Sequence, residues 1–342
     1  MNGAQWWLTL DRVGFQAAWI LLSALWQSSI LLAAAGVLAW LLRRRRASVR
    51  QAVLAAAVLA SPLIPLLGWA ASRSGTPQAP IPVMPAYSAP VEPRQSPSAP
   101  GEATPLATLP PEAVTPAPNH VAAPATPGPD QLTPAAVVPD GPPQPQGKRF
   151  SLLSFPWALA LLAYAAVAGG LIGLVAVGKY RIGRWARRGQ VVTDARVLAI
   201  FRAARERLGL DRDITVVESP RLLSPITTGT LHPVVLLPTG LAGDCCDEDL
   251  FAIALHELAH VRRCDSLLLT LLSLVRATLF FHPLIWLACR QAAALAEIAC
   301  DDAVLDATAQ PVSYARMLAR MAERLPARAL ATELSAGIVL SK

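Results

Sequence analysis

The sequence predicts an α-helical multi-pass membrane protein that carries a mainly helical α+β domain. Three observations predict it. Of its 342 residues 54% are hydrophobic and only 15% charged, and mean hydropathy is +0.42, where an ordinary soluble domain carries about a quarter charged residues. Several apolar runs reach the roughly 20 residues that cross a bilayer as a helix. After the last of these the pattern changes to short β-rich runs and amphipathic helices.

The first span runs from Gly14 to Leu42 and ends in Arg43, Arg44, Arg45 and Arg46. A secretory signal peptide is the alternative, but the stretch is too long, lacks a basic leader and carries its positive charge on the wrong side. A second span is expected from Gln51 to Ala71, bent by Pro62 and Pro65, since proline removes a helical donor. A third runs from Phe155 to Val177 and exits into the basic stretch "GKYRIGRWARRG". Short cytoplasmic loops collect Lys and Arg. Arg43 to Arg46 with Arg50, and Lys179, Arg181, Arg184, Arg187 and Arg188, therefore mark the cytoplasmic side of a bacterial-type inner membrane. The amino terminus and the segment between spans two and three then face outward.

That outer segment holds most of the chain's 31 prolines, mixed with Ala, Thr, Ser and Gln. It cannot bury enough apolar surface to offset its ordering entropy and reads as a disordered linker. All five cysteines, Cys245, Cys246, Cys264, Cys289 and Cys300, fall after the third span and none forms a C-x-x-C pair, as expected of reduced thiols in the cytoplasm. The net charge of +7 is concentrated in the juxtamembrane arginines. It is read as topology and contact with the lipid bilayer, and no direct nucleic-acid binding is expected.

Beyond Val191 the chain reads as a mixed α and β domain. "DARVLAIFRAARERLGL" has helical spacing and stops near Gly209; "ITVVES" (214–219) and "HPVVLLP" (232–238) are β-rich runs separated by Pro and Gly turns. Helices dominate thereafter. Asp247 is expected to cap the helix "DEDLFAIALHELAHVRR", whose first turn is acidic and whose last turn carries Arg262 and Arg263.

That helix places His256 and His260 one turn apart on one face, where two imidazoles can bind a single metal, with Glu257 beside them as a candidate base. An ordinary helix face with hydrogen-bonded histidines is the competing reading. Three features favour the metal. First, "LAEIACDDAV" supplies Glu297 as a third ligand and, four residues on, Asp301 as a carboxylate able to fix the ring and tautomer of a ligand histidine. Second, the other histidines lie elsewhere: His120 in the linker, His232 beside a strand, and His282 in "FFHPLIW", where a structural or interfacial role is expected. Third, "LLLTLLSLVRATLFFHPLIWLAC" is long enough to span, but Arg276 lies near its middle, where an arginine costs roughly 2.5–3.5 kcal/mol. A full crossing would also part Glu297 from His256. The run is therefore expected to be a helix packed within the domain, partly sunk in the bilayer surface.

"LHELAHVRRCD", "FFHPLIW" and "EIACDDAV", with "SPITTGTLHPVVLLP" before them and "LWQSSILL" near the start, resemble the membrane metallopeptidases of the Bla and Mec regulatory systems. These are β-lactam-responsive antirepressors with a gluzincin-like His-Glu-x-x-His site. The resemblance implies that His256, His260 and Glu297 bind Zn2+ and that Glu257 is the base; Asp301 matches a supporting acid by spacing only. It also implies cleavage, or triggered loss, of a cytoplasmic repressor protein after an outside signal. Receptors of that family that sense β-lactams carry a fourth span and an outer domain with a Ser-x-x-Lys nucleophile. No Ser-x-x-Lys occurs here and nothing after Asp301 resembles a fourth span. Either the chain is cut before that region or it senses something else, and β-lactam recognition is not assigned.

The combined expectation is an α-helical multi-pass membrane protein with a mainly helical α+β cytoplasmic zinc metallopeptidase domain. Residues 1–73 form two spans, 74–150 the linker, 151–178 the third span and 179–342 the catalytic domain. Peptide hydrolysis would use Glu257 to take and return a proton, with substrate extended along an edge strand such as Val234 to Leu237. Two rivals stay open: a non-proteolytic signalling receptor or scaffold, and a housekeeping quality-control peptidase with broad substrates. Oligomeric state is not legible.

Overall fold

The computed structural model describes residues 3–73, 87–88 and 152–324. Of the proline-rich segment, only Tyr87 and Ser88 fall within the described residues, so the linker expected over 74–150 otherwise lies outside them.

Helix α1 spans Gly3–Leu41 and is followed by a single 3-10 turn, Leu42–Arg44. It starts well ahead of Gly14 because Asp11, which an apolar criterion excludes, finds its partners on another helix. Where the second span was expected, two helices occur, α2 (Ala47–Ala60) and α3 (Leu63–Arg73). The break falls at Ser61–Pro62, where Pro62 has no donor to continue the ladder and the Ser61 hydroxyl donates back to the Ala57 carbonyl at 2.8 Å. Pro65 lies in the first turn of α3, where its missing N–H has no intrahelical partner to lose.

After a 3-10 turn at Leu152–Ser154 comes α4, Pro156–Arg188, with proline at its start and two arginines in its last turn. No side chain of its own caps it. Instead Asp11 from α1 accepts the Trp157 and Ala158 backbone N–H groups at 2.9 and 3.1 Å and the Tyr87 hydroxyl at 3.0 Å. The two helices approach closely at Gly14, where a Cβ would lie 2.2 Å from the Trp157 carbonyl oxygen.

The next segment builds a small sheet. Strand β1 (Gln190–Val191) leads to α5 (Ala195–Leu208), which Asp194 caps through the Arg196 N–H and Gly209 ends in the left-handed region at φ +63°. Strands β2 (Thr215–Ser219), β3 (Ile226–Thr228) and β4 (Val234–Pro238) follow. The order is β1-β2-β4-β3, with β2 and β4 parallel and the outer pairs antiparallel. This corrects one expectation: Val234 to Leu237 is not an edge. β4 lies inside the sheet, with Val235, Leu236 and Leu237 fully buried, and β3 is the edge.

A short helix α6 (Leu241–Asp244) precedes α7 (Asp247–Arg263). Asp247 is not its cap. Cys246 takes that position without a side-chain bond, because Arg196 holds the Asp247 carboxylate at 2.6 Å while also donating to the Ala242 and Cys245 carbonyls. Helix α7 ends at Cys264 in the left-handed region at φ +56°, and α8 (Asp265–Thr278) starts on the next residue.

The long apolar run expected as one packed helix is split at Leu279–His282, with Pro283 starting α9 (Pro283–Thr308). α8 and α9 are antiparallel: Cys289 on α9 faces the Leu272 carbonyl on α8, and Cys300 faces Asp265. The hairpin tip reaches the membrane helices, where the Tyr164 hydroxyl on α4 donates to the Thr278 carbonyl at 2.9 Å and Ser29 on α1 lies 3.4 Å from His282. Its open end carries Asp265 and Glu297 on the same side.

Among the described residues, three helical segments are long and apolar enough to cross a membrane: Gln5–Arg44, Pro156–Arg188 and Pro283–Thr308. The last differs in kind, since 44% of its apolar window is buried within the protein against 6% for α4. It packs on α2 and α8 through Ile285, Cys289, Ala292 and Leu295. A separate core lies between the sheet, α5 and α7, built from Phe201, Val235, Leu250 and Leu255. Helix α10 (Pro311–Arg324) then folds back on it through Tyr314 and Met317.

Because Asp11 serves three donors from a buried position, Asp11→Ala is expected to lower stability by about 1–2 kcal/mol, the scale of a lost helix cap. Asp11→Asn keeps an acceptor and loses less. The melting temperature of the detergent-purified protein checks both.

Candidate metal centre

The ladder of α7 brings His256, Glu257 and His260 to the side facing α9, and α9 brings Glu297 and Asp301. His256, His260 and Glu297 each offer a ligand atom within 4.8 Å of the others. His256 Nε2 lies 3.6 Å from Glu297 Oε2 and His260 Nε2 lies 3.9 Å from Oε1. The opposite ring nitrogens are both taken: His256 Nδ1 is 3.0 Å from Asp301 and His260 Nδ1 is 3.0 Å from Asp265. In a neutral ring an Nδ1–H donated to a carboxylate leaves the lone pair on Nε2, and both Nε2 atoms face Glu297.

This arrangement fits a small divalent cation. Bonds of about 2.0–2.1 Å in a tetrahedral site put ligand atoms roughly 3.3 Å apart, slightly closer than they stand here. Burial works against charge on His256, yet the hydrogen bonds with Asp301 and Glu297 and the charge of Glu257 push its pKa up to about 10. The pocket thus stabilises positive charge where a cation would sit.

Glu257 is buried, and the Thr227 hydroxyl on β3 donates to its carboxylate at 2.8 Å, with the Glu257 carbonyl 3.1 Å away. The edge strand therefore adjoins the group expected to act as base. The Tyr314 hydroxyl on α10 donates to Asp301 at 2.7 Å and lies 3.2 Å from His256 Nδ1. Burial and the Asp301 carboxylate hold the Tyr314 phenol well above its usual range, so it remains a donor.

His256, Glu257, His260, Glu297 and Asp301, singled out in the sequence, stand together in one cluster, and His282 falls outside it, buried beside Ser29. Sequence reading missed Asp265, Thr227 and Tyr314. Asp265 lies five residues after His260, a spacing that faces away on a continuous helix; the left-handed turn at Cys264 brings it back. Burial would raise the Asp265 pKa, but the bond from His260 and the Arg263 guanidinium at 3.1 Å hold it below the usual carboxylate range. Cys300 packs behind the same ring, 3.3 Å from His260 Nδ1. All five cysteines are free thiols.

Long apolar helices beside a polar pocket of two histidines and a glutamate define a class: a membrane protein with a metallopeptidase-type centre. The chain belongs to the BlaR1 peptidase M56 family, whose family model matches residues 105–336. It is 33% identical to the Regulatory protein BlaR1 of Bacillus licheniformis over 125 residues, 36% of this chain and 21% of that protein. The chain spans about a fifth of the length of that curated relative.

The raised pKa of His256 sets a pH dependence. In metal-free protein its contribution is complete below its ordinary value of 6.5 and is lost as pH rises through about 10. Chelator-treated protein should therefore melt at lower temperature as pH rises across that window. Metal affinity should move oppositely, because the ligand must shed its proton. Melting curves and metal titrations over the same pH series check both signs.

Proposed function

We propose that the chain is a membrane-embedded zinc metalloendopeptidase in signal transduction. Its substrate would be a cytoplasmic transcriptional repressor, or the chain itself, cleaved after an extracytoplasmic signal. The observation that carries the reading is the pair of imidazoles turned by Asp301 and Asp265 so that both Nε2 atoms face Glu297, with Glu257 buried beside them. His256, His260 and Glu297 would hold zinc, a metal suited to nitrogen and carboxylate ligands, with a position left open. When bound, zinc supplies Lewis-acid polarisation of a peptide carbonyl and acidification of water.

Glu257 takes the proton of the attacking water as its oxygen bonds to the carbonyl carbon. It returns that proton to the amide nitrogen as the C–N bond breaks. Thr227 fixes the Glu257 carboxylate for this transfer. The free edge of β3, in place of interior β4, offers backbone hydrogen bonds to an extended substrate.

A regulatory role is supported by the relative's description as a regulatory protein. A cytoplasmic centre is supported by Arg46, which pairs with Asp306 on α9 at 3.5 Å and so sets the basic loop after α1 beside the helix that carries Glu297. That exposed pair contributes little stability, but it supports a common side for the loop and the centre.

Parent protein and Glu257→Gln should each carry one zinc, whereas His260→Ala and Glu297→Ala should carry none. Glu257→Gln should lose at least about 100-fold in cleavage, the lower end for a removed acid–base group. Zinc analysis with a cleavage assay on the chain and on candidate repressors checks this: full cleavage by Glu257→Gln would overturn the role given to Glu257, and equal or absent zinc in every variant would leave the scaffold reading ahead.

A further inference from the structure

Helix α2 is apolar along most of its length, yet Gln51 in its first turns is 1% exposed. A buried amide is costly unless its hydrogen bonds are met. Its partners come from the end of the metal helix. Arg263 Nη2 donates to Gln51 Oε1, and Gln51 Nε2 donates to Asp265 Oδ1 at 3.5 Å. Arg263 Nε in turn donates to Asp265 Oδ2 at 3.1 Å, the same oxygen that accepts from His260 Nδ1. The three side chains close a ring, and the rigid guanidinium fork fixes its plane.

We propose that Gln51 is a positioning residue for His260, acting through Asp265. The proposal rests on the reading of His260 as a zinc ligand. A carboxylate behind a metal histidine sets the ring's tautomer and orientation. Asp265 has one oxygen on the ring and the other on α2, so the place of α2 determines how the ring presents Nε2. Arg263 follows because it grips Gln51 and Asp265 together. Helix α2 and the metal pocket thereby share one hydrogen-bonded ring, and displacement of α2 changes metal geometry without touching the ligands.

The test uses the full-length protein in detergent, with zinc affinity measured by competition against a chromophoric chelator and ligand geometry read from the cobalt-substituted spectrum. Gln51→Met, which keeps volume but no polar atoms, should weaken zinc binding about tenfold, the lower end for outer partners of metal histidines. Asp265→Asn should weaken it by about 10–100-fold. The double variant should match Asp265→Asn alone, since residues acting in series are not additive. An altered cobalt spectrum at unchanged melting temperature separates positioning from lost packing. Gln51→Glu, which still accepts from Arg263 but cannot donate to Asp265, should shift in the same direction and covers the case in which Gln51→Met does not fold. Parental affinity in both Gln51 variants, or losses that multiply in the double variant, would overturn the proposal. His260→Ala keeping parental zinc would instead sink the metal-site reading, and this inference with it.

Discussion

Two imidazoles on one helix serve a common cation only if each turns a nitrogen lone pair to the same point, and nothing in a helix dictates that. The rings rotate, and either nitrogen can carry the proton. What decides it here is a carboxylate behind each ring: Asp301 behind His256 and Asp265 behind His260. These two acids lie at the open end of the α8–α9 hairpin, so the metal pocket depends on that hairpin being closed correctly. Its closure depends on Pro283, which divides one apolar run into two helices, and on the tip contacts with Tyr164 and Ser29. A pocket for a cation is thus set by contacts that α1 and α4 make with the far end of the hairpin.

Much of this was legible in the sequence, for identifiable reasons. The i, i+4 spacing of His256 and His260 fixes their common face whatever the tertiary structure, and Glu297 with Asp301 repeats that spacing on a second helix. The end of α5 was legible because Gly209 acts on its own chain neighbours. Asp265, Thr227 and Tyr314 were not, because each reaches the site through a feature with no local signature. Asp265 uses a left-handed turn at a cysteine, where glycine is the residue that signals such a turn. Thr227 lies on a strand of three residues, and Tyr314 arrives by a chain reversal at Ala309, again left-handed without glycine.

The departures have the same origin. Asp247 has the composition of a cap, but a long-range arginine claims it. Val234 to Leu237 has the pattern of a strand, yet pattern alone does not order a sheet, and the parallel pairing with β2 places it inside. Proline marked the second span as bent; it is broken at Ser61–Pro62, where Pro62 brings no donor to the ladder.

Asp11 gives the far end of the molecule a mechanical character. One carboxylate pins the start of α4, a site on α1 and Tyr87 to a single point, so a displacement of any one of the three is shared by the others. Each helix behaves as a lever about that pivot. For a helix of 33 residues, roughly 50 Å long, a tilt of about 3° sweeps the opposite end through about 2.5 Å. That travel is comparable to the length of a hydrogen bond.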